Sequence, residues 1–141
     1  MTEAPGDDTL AVRPAPRPAW VLLLQRGSGE VLYEAAAMTA AAVSLGLSVT
    51  IVWFDGAFRA LAAGELDPEE GAIEPGTSGG AGRLFAEARA TGNVRYLACS
   101  ATLVAGRRTG AKESGRGRVD DVIGWPTAIS LIRSAERAFI W

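Results

Sequence analysis

Two short strand-like segments, one on each side of a helix-length segment, most constrain how this chain can fold. The first, WVLLLQ from Trp20 to Gln25, is a continuous apolar run without polar alternation, as in a strand covered on both faces in a parallel sheet. The second, SVTIVWF from Ser48 to Phe54, is rich in the β-branched and aromatic residues that favour strands. Between them, residues 30–45 carry apolar side chains at helical spacing, and Gly46 is a typical helix stop. The pattern therefore predicts a βαβ unit.

The rest of the chain continues this alternation. Strands are predicted at 94–98, 119–123 and 138–141, and helices at 57–63, 83–90 and 126–136, the last with a proline in its first turn. The glycine- and proline-rich residues 64–82 are interpreted as a mobile loop. The order predicts a single α/β domain over 19–141, a three-layer α/β/α arrangement with a mainly parallel sheet of about five strands. The proline-rich residues 1–18 are expected to form a disordered tail.

The absence of histidine excludes several kinds of catalytic site. The 141 residues contain no histidine and one cysteine. A Ser-His-Asp triad, a Cys-His pair and a histidine metal ligand are therefore excluded. One cysteine also leaves no internal disulfide and no cysteine-rich zinc or iron–sulfur site. No acidic cluster has the spacing of a calcium loop, so no metal and no cofactor are expected.

Net charge and hydropathy indicate the cellular location and the classes of partner to expect. The net charge of −2 argues against a general nucleic-acid binder, which usually carries a basic excess. No apolar run approaches the roughly 20 residues that span a bilayer. The first residues are acidic and lack the basic start of a signal peptide. We therefore expect a cytoplasmic protein with neither nucleic acid nor membrane as a partner.

Cys99 is the residue most expected to carry function. It follows the strand predicted at 94–98 and precedes a segment that can start a helix at Ser100. Functional groups in open parallel sheets gather beyond the carboxyl ends of strands, and a helix N-terminus favours an anion such as a thiolate. Ser100 and Thr102 are expected to cap that helix or to hydrogen-bond the sulfur. The alternative is that Cys99 is a small buried hydrophobe, a common fate of free cysteine.

A basic, glycine-rich segment follows Cys99. Its cations lie within residues 107–118 and are opposed only by Glu113: Arg107, Arg108, Lys112, Arg116 and Arg118. If the segment folds toward Cys99, its charge would stabilise a thiolate or persulfide, with Arg107 and Arg108 as binding residues. The alternative is a solvated loop.

Three further features have weaker functional interpretations. The turn from Arg26 to Gly29 follows the first strand but lacks the spacing of a phosphate-binding loop, so it is interpreted as a tight turn. Asp120 and Asp121 are interpreted as a solvated pair, one of which is placed to close over the cysteine pocket. The large aromatic residues beside strands are interpreted as core or subunit contacts: Trp53, Phe54, Trp125 and Trp141.

The chain resembles the DsrE-like sulfur-relay family, which includes the DsrE, DsrF and TusD types. The resemblance covers about residues 20–141 and rests on four stretches: WVLLLQRGSG, VTIVWFDGAFRAL, VRYLACSATLVAG and VDDVIGWPTAISLIRSAERAFIW. Its sharpest part is Ala98-Cys99-Ser100-Ala101-Thr102. The resemblance implies a Rossmann-like layered fold, assembly into dimers, trimers or hexamers, and a cysteine that carries persulfide sulfur from a donor protein to an acceptor protein. The basic segment 107–118 departs from many relatives.

These observations leave three hypotheses. The first is a sulfur carrier or sulfurtransferase that holds sulfane sulfur as a persulfide on Cys99; attack on sulfur needs no histidine. The second is a non-enzymatic oligomeric binding or assembly module in which Cys99 is structural. The third is an anion- or nucleotide-binding protein that uses the Arg26–Gly29 turn with the basic segment.

Overall fold

The computed structural model describes residues 19–68, 74–108 and 113–141. The tail predicted at 1–18 therefore lies outside the described residues. The strands are β1 (Trp20–Leu24), β2 (Val49–Trp53), β3 (Val94–Cys99), β4 (Asp121–Ile123) and β5 (Arg137–Ile140). The helices are α1 (Gly29–Ser44), α2 (Asp55–Ala62), α3 (Ser78–Ala90), α4 (Ser100–Arg108) and α5 (Trp125–Ser134), with a 3₁₀ helix at Glu113–Arg118.

The five strands form one parallel sheet in the order β4-β3-β2-β1-β5. This confirms the predicted α/β class with a parallel sheet. β2 lies near the middle and all of its residues are buried, as expected for a strand with helices on both faces. No helix in the described part of the chain is both long and apolar enough to cross a membrane.

The strand order explains why the two faces of the sheet carry different helices. From β1 to β4 the chain steps in one direction across the sheet, and then it returns past β1 to form β5. Right-handed crossovers that step in opposite directions place their helices on opposite faces. Accordingly, α1, α2 and α3 share one core cluster with Leu22, Ile51 and Trp53, whereas α5 shares a second with Val21 and Leu23.

The face under α1 and α3 is packed through small residues. Six residues of α1 are buried, and three of them are alanines. Small side chains let helix backbones approach closely, so the alanine-rich composition has a packing role here.

Helix α3 begins five residues before the predicted start, so the interpretation of residues 78–82 as a mobile loop was wrong. Thr77 Oγ1 caps the helix by accepting the N–H of Gly80 at 3.1 Å. A Cβ on Gly82 would lie 2.2 Å from the carbonyl oxygen of Leu66. The glycines in this part of the helix therefore permit close backbone approach rather than flexibility. The rest of the predicted loop includes residues 69–73, which lie outside the described residues.

Candidate functional site

Cys99 is the last residue of β3, at the carboxyl edge of the sheet. Its side chain is only 3% exposed and belongs to the apolar cluster on the α5 face. Ile123 of β4 is its register partner on one side. On the other side, β2 pairs with β3 in a register that matches Trp53 with Ala98. One residue further along, this register places Phe54 beside Cys99, and Phe54 is in the same cluster. The thiol therefore lies between two large apolar side chains.

Helix α4 begins at Ser100, directly after Cys99, as the sequence predicts. The first N–H groups of a helix have no partner within the helix and carry the positive end of its dipole. The chain thus turns from a buried strand into a helix start at the cysteine. Ser100 is exposed at this turn.

Thr102 connects the ends of β2 and β3. It is buried, and its Oγ1 accepts the backbone N–H of Asp55, the first residue of α2, at 3.3 Å. Phe54 precedes α2 and has no side-chain oxygen to cap it, so Thr102 supplies a cap from the neighbouring helix. Asp55 has a φ of 40°, in the left-handed region that few residues other than glycine adopt. The structure therefore gives Thr102 a partner at the start of a neighbouring helix.

An aromatic pair lies beside this junction. The ring of Trp125, the first residue of α5, stacks on that of Phe54 with centroids 5.1 Å apart and planes 26° apart. Gly124, which precedes α5, lies next to the start of α4: a Cβ placed on it would be 4.0 Å from Ser100 Oγ. The start of α5 thus lies against the turn that follows Cys99.

Arg107 and Arg108 lie at the opposite end of α4 from Cys99. The backbone of Arg107 is seven residues beyond Ser100, which corresponds to about 10 Å along the helix axis. Of the predicted site residues, the structure therefore brings Ser100 and Thr102 to the cysteine junction but places the backbone of the two arginines two turns away.

The end of the basic segment packs against α2. Gly115 is buried so closely there that a Cβ would lie 2.6 Å from the Phe58 ring and 2.7 Å from the Ala62 methyl. Arg118 forms an ion pair with Asp67, and hydrogen bonding to this carboxylate raises the pKa of the guanidinium. Phe58 belongs to the core of the α1 to α3 face, whereas Cys99 belongs to the α5 face. Residues 109–112, including Lys112, lie outside the described residues.

The glycine-containing turn after β1 has a packing role. A Cβ on Gly27 would lie 2.3 Å from the carbonyl oxygen of Gly56, so the starts of α1 and α2 meet closely here. Ser28 Oγ accepts the N–H of Val31 and caps α1. These contacts agree with the interpretation of residues 26–29 as a tight turn.

Asp120 and Asp121 do not close over the cysteine, contrary to expectation. Asp120 accepts two hydrogen bonds from Arg89, which hold the pKa of this carboxyl below its usual range. It also accepts the N–H of Tyr96, about 10 Å along β3 from Cys99. Asp121 lies 3.8 Å from Arg95. The contacts of both aspartates help to hold β4 beside β3. This matters because β4 has only three residues.

The described residues contain no group of three cysteine, aspartate or glutamate side chains that could hold a metal ion.

Sequence reasoning did not single out Asp55 or the Phe54–Trp125 pair as parts of this site. Position after a strand was a usable signal for Asp55, because Asp55 starts the helix that follows β2 as Ser100 starts the helix that follows β3. No sequence signal pairs Phe54 with Trp125, since these residues are far apart in the chain and meet only through strand order.

Comparison with known proteins adds no family assignment. No protein-family model matches the chain. No curated protein matches it at a significant level.

Proposed function

We propose that this protein is a small cytoplasmic sulfur carrier that holds sulfane sulfur as a persulfide on Cys99. The observation that carries the proposal is the position of Cys99, at the carboxyl edge of the sheet and immediately before the start of α4. That edge is where open α/β sheets place functional groups. The resemblance of the cysteine stretch to DsrE-like proteins agrees with this assignment, and it implies a homo-oligomer that works between donor and acceptor proteins.

The proposed reaction requires only the cysteine and two partners. The Cys99 thiolate attacks the outer sulfur of a donor persulfide, R–S–SH. A new S–S bond forms on Cys99, the bond within the donor breaks, and the donor leaves as the thiolate R–S⁻. The product is Cys99–S–SH, and no external oxidant is consumed. An acceptor thiolate then attacks the outer sulfur in the same way and regenerates the Cys99 thiolate.

Helix α4 starts directly after Cys99. The free N–H groups and the positive dipole end of a helix N-terminus are features that commonly attract anions. Proton transfer by histidine is not required, because the nucleophile and the leaving group are both thiolates.

Mass spectrometry of the intact protein tests the proposal. The protein is incubated with glutathione persulfide, freed of small molecules and weighed, together with Cys99→Ser, which replaces sulfur by oxygen at the same position. We expect the wild-type chain to gain the mass of one sulfur atom and the variant to gain none. Addition of cyanide should then release thiocyanate and restore the original mass. Absence of the gain in the wild type, or an equal gain in Cys99→Ser, would overturn the proposal.

A second candidate is an assembly module in which Cys99 is structural. It is favoured by the burial of Cys99 among apolar side chains and by three exposed large hydrophobic residues on the α5 side: Trp125, Ile129 and Ile140. This candidate predicts that Cys99→Ala forms the same oligomer as the wild type, measured by light scattering, and that Cys99 resists persulfidation. The sulfur-carrier proposal predicts persulfidation, so the two candidates are distinguished by the mass measurement.

A further inference from the structure

We propose that the stacked rings of Phe54 and Trp125 act as a gate that controls access to the Cys99 thiol. The gate deepens the sulfur-carrier proposal and rests on it for its biological purpose. The effect of the gate on access to the thiol depends only on the side chains that cover Cys99, and not on sulfur transfer.

The side chains that cover Cys99 extend to the start of α5. Ile123 and Phe54 flank Cys99 along the sheet, and Ala128 of α5 belongs to the same buried cluster. Trp125, one turn before Ala128, lies on Phe54. Because Cys99 is 3% exposed, a reagent or a partner's sulfur can reach it only when side chains of this cover move.

Helix α5 is held against the sheet by few fully buried residues. Only Ala128 is fully buried in this helix, compared with six residues in α1. Gly124 occupies the N-cap position and makes no side-chain cap. Segments with few buried contacts open at low free-energy cost, well below global unfolding.

Trp125 is therefore the residue that holds the start of α5 in place. Trp125 is 47% exposed, so it contributes less to the core than to the stack on Phe54. Displacing the ring would release the helix start from Phe54 and uncover the neighbouring thiol. Offset ring stacking has an interaction strength that corresponds to about a 3- to 10-fold change in an opening equilibrium.

The rate of Cys99 alkylation by iodoacetamide in the folded protein tests the gate. Cys99 is the only cysteine of the chain, so the mass gain reports on this residue alone. We expect Trp125→Ala to raise the alkylation rate by about 3- to 10-fold and Trp125→Phe, which keeps a ring, to stay within about twofold of the wild type. The matched control is Ile129→Ala, because Ile129 lies one turn away in α5 and is 49% exposed. It should leave the rate unchanged.

Two results with the variants would overturn the gate. One is an unchanged rate in Trp125→Ala. The other is an equal acceleration in Trp125→Ala and Ile129→Ala, which would indicate general loosening of α5. Rates at low urea concentrations separate local from global opening, since a local gate gives a rate that is nearly independent of urea. A steep urea dependence in the wild type would also contradict the gate.

The assay separates the gate from the proposed function, because iodoacetamide needs no persulfide chemistry. A gated thiol that takes up no sulfur from glutathione persulfide in either wild type or Trp125→Ala would overturn sulfur transfer and retain the gate. Persulfidation at equal rates in both proteins, with equal alkylation, would retain sulfur transfer and overturn the gate.

Discussion

The guanidinium of Arg89 donates two hydrogen bonds to the carboxylate of Asp120, at 3.0 and 3.2 Å. The same carboxylate accepts the backbone N–H of Tyr96 at 2.7 Å, and the guanidinium carbon lies 4.0 Å from the centre of the Tyr96 ring. This arrangement ties the end of α3 to β3 and to the residue that precedes β4. It stabilises the outer strand of the sheet, whose short length leaves it few ladder hydrogen bonds.

Replacement of Asp120 should destabilise the fold. We expect Asp120→Ala to lower the free energy of unfolding by about 1–2 kcal/mol, because it leaves the Tyr96 N–H and the Arg89 guanidinium without their acceptor. Asp120→Asn should cost about half as much, since an amide oxygen can still accept from Tyr96. Urea denaturation measures both. Glu87→Gln is the control: the Arg83–Glu87 pair is exposed, and its loss should cost less than about 0.5 kcal/mol. A cost of Asp120→Ala no larger than that of Glu87→Gln would contradict this assignment.

The same carboxylate should make stability depend on pH. Hydrogen bonding to Arg89 lowers the pKa of Asp120 in the folded state, so the folded protein binds a proton there less readily than the unfolded chain does. Its contribution is therefore complete above the unfolded pKa of about 3.9 and is lost as the pH falls through the lower folded value. Urea denaturation of wild type and Asp120→Asn between pH 6 and pH 3, values chosen to bracket about 3.9, should show a stability difference that shrinks toward the acid end. A constant difference would contradict the role of Asp120.

Alanine at Gly82 should be poorly tolerated. The new Cβ would overlap the Leu66 carbonyl, so we expect a loss of about 1–3 kcal/mol in the free energy of unfolding. Gly117 is the matched control, because a Cβ there has no neighbour within 4 Å. Gly117→Ala should change stability by less than about 0.5 kcal/mol or increase it slightly. Thermal denaturation of the two variants compares them directly, and equal melting temperatures would show that α3 does not need the close approach.

Removal of the Thr102 hydroxyl should weaken the connection between β2 and β3. Thr102→Val keeps the shape of the side chain but leaves the Asp55 N–H without its acceptor, at a cost of about 1 kcal/mol. Thr102→Ser keeps the hydroxyl and should preserve hydrogen-exchange protection of the Asp55 amide, which should fall in Thr102→Val. Equal protection in both variants would show that the hydroxyl does not hold this junction.

The strands were predictable because the information for them is local. β1 is apolar along its whole length and β2 is apolar except for the buried Thr50, which is sufficient to indicate a covered parallel sheet. Helix α3 was partly missed because Gly79, Gly80 and Gly82 are typical of loops when judged by propensity alone. Close packing against Glu74 and Leu66 overrides that propensity, and it involves residues that only the tertiary fold brings together.

The position of Cys99 in the candidate site was predictable, but its surroundings were not. A strand followed by Ser100 was sufficient to place the thiol before a helix. Its burial under the α5 face was not, because burial depends on which helix crosses that face. The end of the basic segment was also placed by packing: Gly115 fits against Phe58, on the other core cluster.

By itself, the sequence determined the alternation of strands and helices and the location of its only thiol at a strand end, because apolar periodicity and helix signals act over a few residues. The tertiary structure decided which side chains meet that thiol. The return of the chain from β4 to β5 carries α5 across the second face of the sheet and brings Trp125 onto Phe54. This contact between distant parts of the chain depends on strand order and crossover hand, which no local pattern encodes.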